Sequence, residues 1–273
     1  MKLLYTTDLH GNRRKYELLF KKALAFSADI VINGGDLLPN TGDPRSQGEF
    51  IEGFLEELFR GFEKEKIYYL SCPGNDDLKI FDEKYSRVCA RFSYVKLLMR
   101  EKADIFGYEF IGMDRVSDYP FRLKDRCRKD AAGSRPGRQF GSGVLSTERG
   151  FKIIDWGSRF RKLPALEDEL ANLPPPEDPK KAVYVIHMPP ANLGLDLCLS
   201  GDRVGSGAVY RFLKEKQPLM SLHGHIHESP MLSGRWQASL GRTACIQPGQ
   251  GGDFSYVLID LEKMHWEKKD DLL

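Results

Sequence analysis

Short apolar runs, each broken off by an acid, amide or imidazole and most with a glycine close by, set the rhythm of this chain. Lys2–Thr7 (KLLYTT) is a run of strand formers that stops at Asp8-Leu9-His10-Gly11-Asn12. Apolar positions then recur at helical spacing through Tyr16, Leu18, Leu19, Phe20, Ala23 and Leu24, with Asn12 placed as the helix cap. Asp29–Asn33 (DIVIN) predicts a second strand, ending in Gly34-Gly35-Asp36. Thr41–Gln47 reads as a polar loop, and Phe50–Phe62 as a helix with Phe50, Phe54, Leu55, Leu58 and Phe59 on one face. Ile67–Leu70 (IYYL) predicts a third strand, ending in Pro73-Gly74-Asn75-Asp76-Asp77. Strand–helix–strand–helix–strand is the order of a parallel sheet covered on both faces.

The middle is less regular. Tyr85–Leu98 reads as a helix leading into a short strand, and Ile105 to Met113, with a turn at Gly107, as a hairpin. Val116–Glu148 is long, polar and glycine-rich, the pattern of a functional lid or an unstructured loop. Leu163–Leu173 looks helical and is stopped by Pro174-Pro175-Pro176. Ala182–Ile186 (AVYVI) predicts a buried strand ending in His187-Met188-Pro189-Pro190. Gly207–Lys216 reads as a helix, and Pro218–Leu222 as a strand running into His223-Gly224-His225-Ile226-His227. Beyond it, Arg235–Ser239, Thr243–Ile246, Tyr256–Leu261 and Met264–Lys268 read as β structure. Ligand-type residues run from Asp8 to His227, so residues 1–273 read as a single domain.

Composition narrows this picture only a little. At 273 residues, 41% hydrophobic and 29% charged, the chain can bury a large core. A formal net charge of +2 makes nucleic acid an unneeded partner. The five cysteines are scattered without CxxC spacing, as free thiols of a reducing cytosol would be, so a cytoplasmic location is expected. No apolar stretch approaches the roughly 20 residues that span a bilayer, so no membrane role is expected.

Taken one at a time, Asp8 reads as a helix cap, Asp36 or Asn75 as a turn residue, and His187 as a hydrogen-bonded buried histidine. Together, Asp8, His10, Asp36, Asn75, His187, His225 and His227 place oxygen or imidazole donors after five separate apolar runs, with no cysteine among them. Such donors suit Mn²⁺, Fe or Zn²⁺ better than a thiolate zinc site. They are too many for one tetrahedral ion and enough for two if a carboxylate bridges.

In order, Asp8-x-His10, Gly35-Asp36, Gly74-Asn75, His187 and Gly224-His225-x-His227 resemble the motifs of the calcineurin-like metallophosphoesterase family. The run His223–Glu228 (HGHIHE) and Gln247-Pro248-Gly249 are similar to the small bacterial and archaeal phosphoesterases grouped with cyclic-nucleotide phosphodiesterases. The resemblance implies an α/β fold of two packed mixed β-sheets flanked by helices. It implies two divalent metal ions, manganese before iron or zinc, with Asp8, His10 and His227 on one, Asn75, His187 and His225 on the other, and Asp36 bridging. A hydroxide shared by ions about 3.5–4 Å apart would attack a phosphomonoester or phosphodiester of a small phosphorylated or nucleotide substrate. Asn75, Asp76 and His187 would carry catalytic roles. A binding scaffold on the same fold, or a nuclease, are the competing readings.

Many members carry histidine where this chain has Asp76. An ordinary carboxyl is a weak proton donor at neutral pH. Asp76 therefore reads as a solvated loop carboxylate, and substrates with good leaving groups are expected. The basic residues of 122–138 read as a solvated charged loop, with a phosphate clamp as the alternative. His223 stands next to the ligands, either supporting them or facing away.

Overall fold

The structure, a computed structural model, describes all residues from Met1 to Leu273. The first half alternates strands and helices: β1 (Lys2–Thr6), α1 (Arg13–Phe26), β2 (Ile30–Asn33), α2 (Arg45–Glu49), α3 (Glu56–Glu65), β3 (Tyr68–Ser71), α4 (Asp82–Cys89) and β4 (Val95–Leu97). Next come the hairpin β5 (Lys102–Ile105)–β6 (Tyr108–Met113), the short pair β7 (Val116–Ser117) and β8 (Cys127–Arg128), and the hairpin β9 (Val144–Thr147)–β10 (Gly150–Ile153). Helices α5 (Trp156–Lys162) and α6 (Leu166–Ala171) precede β11 (Ala182–Ile186). Then follow α7 (Gly207–Lys216), β12 (Met220–Leu222), α8 (Ser229–Ser233), β13 (Gln237–Leu240), β14 (Thr243–Ile246), β15 (Phe254–Asp260) and β16 (His265–Asp271).

Two six-stranded mixed sheets result. One has the order β16-β15-β1-β2-β3-β4, the other β13-β14-β12-β11-β6-β5. The strands that lead into the site are parallel: β1, β2 and β3 in the first sheet, β11 and β12 in the second. Period-2 alternation divides their side chains between layers. Leu4, Val31 and Tyr69 turn outward to pack under α1, α3 and α4. Leu3, Tyr5, Ile30, Ile32 and Leu70 turn inward and meet Val183, Val185, Met220 and Leu222 of the other sheet. Ala182, Tyr184 and Ile186 face the layer of α5, α6 and α7. Each of these strands is apolar on both faces, which is why the runs read as nearly continuous hydrophobics. The α/β/β/α sandwich expected from the sequence is the fold observed.

Asn12 caps α1 by accepting from the Lys15 N–H at 3.2 Å, and Gly207–Lys216 is helical as read, capped by Ser206. The helix read as Phe50–Phe62 starts earlier, at Arg45 within the supposed loop, and widens to π-helix over Phe50–Leu55 before ending at Glu65. The wider turn buries Phe50, Ile51 and Leu55 together, so core packing overrides the 3.6-residue period. Helix α5 is not legible in the sequence. Its cap is Asp155, accepting from the Ser158 N–H at 3.1 Å, but its face is short and mostly polar.

The stretch 116–148 is not unstructured, since it holds β7, β8 and β9, and the basic residues of 122–138 are not all solvated. Lys124 and Arg126 are buried. Arg126 donates to the Asp77 carbonyl at 2.9 Å and to Asp114 at 2.7 Å, and also pairs with Asp82. Asp114 in turn meets Arg100 and Arg115. These partners are far apart in sequence, so no local pattern announces them. Arg126→Met leaves a buried carboxylate cluster short of its central cation. Urea unfolding is expected to show a loss of about 3–5 kcal/mol, against less than about 0.5 kcal/mol for exposed Arg138→Met.

Candidate metal centre

Loops leaving the carboxyl ends of β1, β2, β3, β11 and β12 converge at one edge of the sandwich. Backbone bonds continue the ladders past the strands: Asp8 N–H to Gly35 O and His10 N–H to Asp36 O, both 2.8 Å. In the second sheet Gly224 N–H donates to His187 O at 2.9 Å. The sheets are then stitched together by side chains. Across the sheets the His225 N–H donates to the Asp8 carboxylate at 3.1 and 3.2 Å, while between loops of the first sheet the Asp76 N–H donates to Asp36 Oδ1 at 2.7 Å. Asp8, His10, Asp36 and His225 all have left-handed backbones, with φ of 57°, 45°, 49° and 72°. This region costs an ordinary side chain roughly 1–3 kcal/mol, so their neighbours must impose it. At Gly74 and Gly224 the approach is so close that a Cβ would lie 2.3 Å from Asp36 Oδ1 and 2.1 Å from Thr7 Oγ1 respectively.

All seven donors expected from the sequence meet here. Asp8 Oδ1 lies 3.3 Å from His227 Nε2 and 3.7 Å from His187 Nε2. Asp36 Oδ2 lies 3.4 Å from His187 Nε2 and 3.8 Å from His10 Nε2. His10 and His227 bring their Nε2 atoms within 3.1 Å of each other. Asn75 Oδ1 faces His187 Nε2 at 3.1 Å and also His225 Nδ1. Hydrogen bonds outside the cluster fix these orientations. His187 Nδ1–H donates to the Gly34 carbonyl at 3.0 Å, turning the other ring nitrogen inward. The Asn75 amide nitrogen donates to Asp76 Oδ1 at 2.9 Å, which turns its oxygen inward.

The electrostatics favour a cation. Asp8, Asp36 and His187 are almost wholly buried. Burial pushes both carboxyls up, yet histidines hold Asp8 down at about 2 and Asp36 far below the usual carboxylate range. Burial pulls His187 and His227 down, but the carboxylates outweigh it and hold them at about 10 and about 9. Burial and the positive His187 push His225 down to about 4. Two buried anions thus demand positive charge, which protons on His187 and His227 supply within the protein alone. The donor set also fits a divalent ion. Asp8, His10, Asp36 and His227 offer ligand atoms all within 4.8 Å of one another. Asn75 Oδ1 faces nitrogens of both His187 and His225, and His187 Nε2 lies 3.4 Å from the same Asp36.

The reading of Asp76 as a solvated carboxylate is corrected. Its side chain is 22% exposed, accepts from Asn40 Nδ2 at 2.7 Å, and lies 3.8 Å from His10 Nδ1. Burial and the Asp36 charge push it up to about 6. His223 does support the ligand loops: its Nδ1 lies 2.8 Å from Ile186 O and 3.1 Å from Met188 O, flanking His187. Sequence reasoning missed Asp77. Its buried carboxylate accepts from the N–H groups of Leu37, Leu38 and Gly74 at 2.8–3.1 Å, tying the Asp36 loop to the Asn75 loop. The run Asn75-Asp76-Asp77 hinted at it, but nothing local separates this aspartate from a turn residue. Of the basic residues of 122–138, Arg122 lines the cavity at the site together with Asn75, Asp76, His225 and His227.

Two substitutions follow from this geometry. Gly74→Ala drives a methyl group into Asp36 and is expected to weaken Mn²⁺ uptake by about tenfold or more, read by equilibrium dialysis. Gly53→Ala, where nothing lies within 4 Å of the added carbon, should leave uptake unchanged.

One solved structure superposes over 98% of both chains with a TM-score of 0.64 at 17% identity. TT1561 of Thermus thermophilus superposes over 98% of both chains with a TM-score of 0.59 at 19% identity. At these identities the likeness concerns the fold alone. No curated protein matches the sequence. The sequence model described as calcineurin-like phosphoesterase matches residues 1–229, which include every candidate ligand from Asp8 to His227. The chain therefore belongs to the calcineurin-like phosphoesterase family, a family of metal-dependent phosphoester hydrolases.

Proposed function

We propose that the chain hydrolyses phosphate esters of small or nucleotide-type molecules at a centre holding two divalent cations, manganese first among them. Asp8, His10 and His227 would hold one ion, and Asn75, His187 and His225 the other, with Asp36 shared. The observation that supports this most is the position of Asp36 Oδ2, a single oxygen 3.4 Å from His187 Nε2 and 3.8 Å from His10 Nε2, between the two donor sets. Bound ions would polarise phosphoryl oxygens and acidify a water molecule into the neutral range.

The protein's own groups do the rest. Asn75 contributes a neutral oxygen beside two anionic carboxylates, which limits the repulsion felt by an incoming phosphate. Its amide orientation depends on Asp76, so these neighbours act as a unit. Asp76 opens onto the cavity beside Asn75 and would protonate a leaving alkoxide, in the position where many family members carry histidine. The cavity, about 520 Å³, is large enough for a small organic ester and lies within the roughly 300–1,000 Å³ usual for such ligands.

Asp36→Ala is expected to lose both ions and nearly all turnover. Atomic spectroscopy that finds two ions retained in this variant contradicts the shared role. Asp76→Asn is expected to slow alkyl phosphate esters by about tenfold to a hundredfold while changing p-nitrophenyl esters little, because only the poor leaving group needs a proton. An equal loss on both, accompanied by lost metal, assigns Asp76 to holding His10 and Asn75 in place instead.

A further inference from the structure

We infer that the segment from Tyr119 to Ile153 forms a ring-binding wall beside the metal centre, and that the substrate is a nucleoside phosphate ester. The inference rests on the phosphoesterase reading and adds to it what the ester carries.

Large apolar side chains stand uncovered at one place. Phe121 is 62% exposed, Phe140 61% and Phe151 43%. Phe121 and Phe151 both line the cavity that holds Asp36, Asn75, His225 and His227. The two come from separate parts of the chain. Phe121 follows β7, while Phe151 lies on β10 opposite Ser146, with Val144 opposite Ile153. Alternation along the hairpin therefore puts Val144, Phe151 and Ile153 on one face, and Val144 also lines the cavity. An exposed aromatic patch continuous with a catalytic cleft marks a binding surface rather than leftover core.

The wall is held at a fixed distance from the reacting centre by a line of rings. His225 meets Tyr119 edge to face at 5.7 Å between centroids. Tyr119, buried, lies 6.3 Å from Phe121, and Phe121 meets Phe140 edge to face at 5.8 Å. Phe121 is thus two ring contacts from a candidate metal ligand and lines the same cavity. A tilted contact to Tyr119 and an edge contact to Phe140 orient the Phe121 ring, which stays 62% exposed and open to stacking. Arg122 is the only lysine or arginine lining the cavity. Its Nε donates to the Ser142 carbonyl at 3.3 Å, and no carboxylate pairs with its guanidinium. A free cation for the phosphate and flat apolar faces for a ring are the two demands of a nucleotide. Stacking tolerates any base, so the wall selects for a nucleoside without selecting its identity.

The test uses the full chain loaded with Mn²⁺ and two esters sharing one leaving group, thymidine 5′-(p-nitrophenyl phosphate) and methyl p-nitrophenyl phosphate. The nucleoside ester is expected to lead by about tenfold or more in kcat/KM, mostly through KM. The double variant Phe121→Ala, Phe151→Ala should bring that ratio close to one, and Phe121→Tyr with Phe151→Tyr should keep it. Arg122→Gln should weaken both esters alike. A ratio near one in the parent protein, or an unchanged ratio in the double alanine variant, overturns the inference. If neither ester nor the monoester p-nitrophenyl phosphate is cleaved, the hydrolase reading fails; whenever the two diesters are inert, the wall is judged by calorimetry. Thymidine 5′-phosphate binding about tenfold tighter than inorganic phosphate, lost in the double alanine variant, supports it; equal binding, as expected of a patch that serves a protein partner, overturns it.

Discussion

Two carboxylates, Asp8 and Asp36, are buried at the seam where two β-sheets meet, and the architecture around them is an answer to their charge. A buried anion is tolerable only beside positive charge and hydrogen-bond donors. Here the donors come from the chain itself: the His225 N–H to Asp8 and the Asp76 N–H to Asp36. The positive charge comes from histidines, and would come from cations bound among them. Because Asp8 and Asp36 leave the first sheet while His187 and His225 leave the second, the same attraction that satisfies the anions also joins the two halves of the sandwich.

Holding that cluster requires backbone that ordinary sequence would avoid. Left-handed φ at Asp8, His10, Asp36 and His225 aims four functional side chains inward from tight turns. Gly74 and Gly224 let loops pass where no side chain fits. Asp77 then ties the Asp36 loop to the Asn75 loop through three backbone N–H groups, and Arg126 grips the Asp77 carbonyl from the central insertion. Rigidity at the site therefore extends into the segment that also carries Phe121 and Arg122. One part of that insertion is structural and buried, and the adjoining part lines the cavity.

The strands and the ligands after them were legible because both signals are local. An apolar run followed by glycine and a donor marks the carboxyl end of a buried strand, where α/β sheets place their sites. Asp8, His10, Asp36, Asn75, His225 and His227 follow that pattern, and His187 follows its strand directly, without a glycine. What escaped depends on partners remote in sequence. Asp77 looks like any turn aspartate until the Leu37, Leu38 and Gly74 amides are brought to it. Arg126 looks like one charge among many until Asp82 and Asp114 surround it. Asp76 was read as solvated because nothing in its neighbourhood predicts Asn40 or the Asp36 charge. The π-helical turn at Phe50–Leu55 answers to tertiary packing, which periodicity does not see.

The central claim is that these donors converge on a pair of cations sharing Asp36. Anomalous diffraction from crystals of the Mn²⁺-loaded protein tests it most directly. The account predicts two peaks flanking the Asp36 carboxylate, one among Asp8, His10 and His227 and the other among Asn75, His187 and His225. A single peak, or peaks elsewhere with Asp36 contacting none, would contradict it.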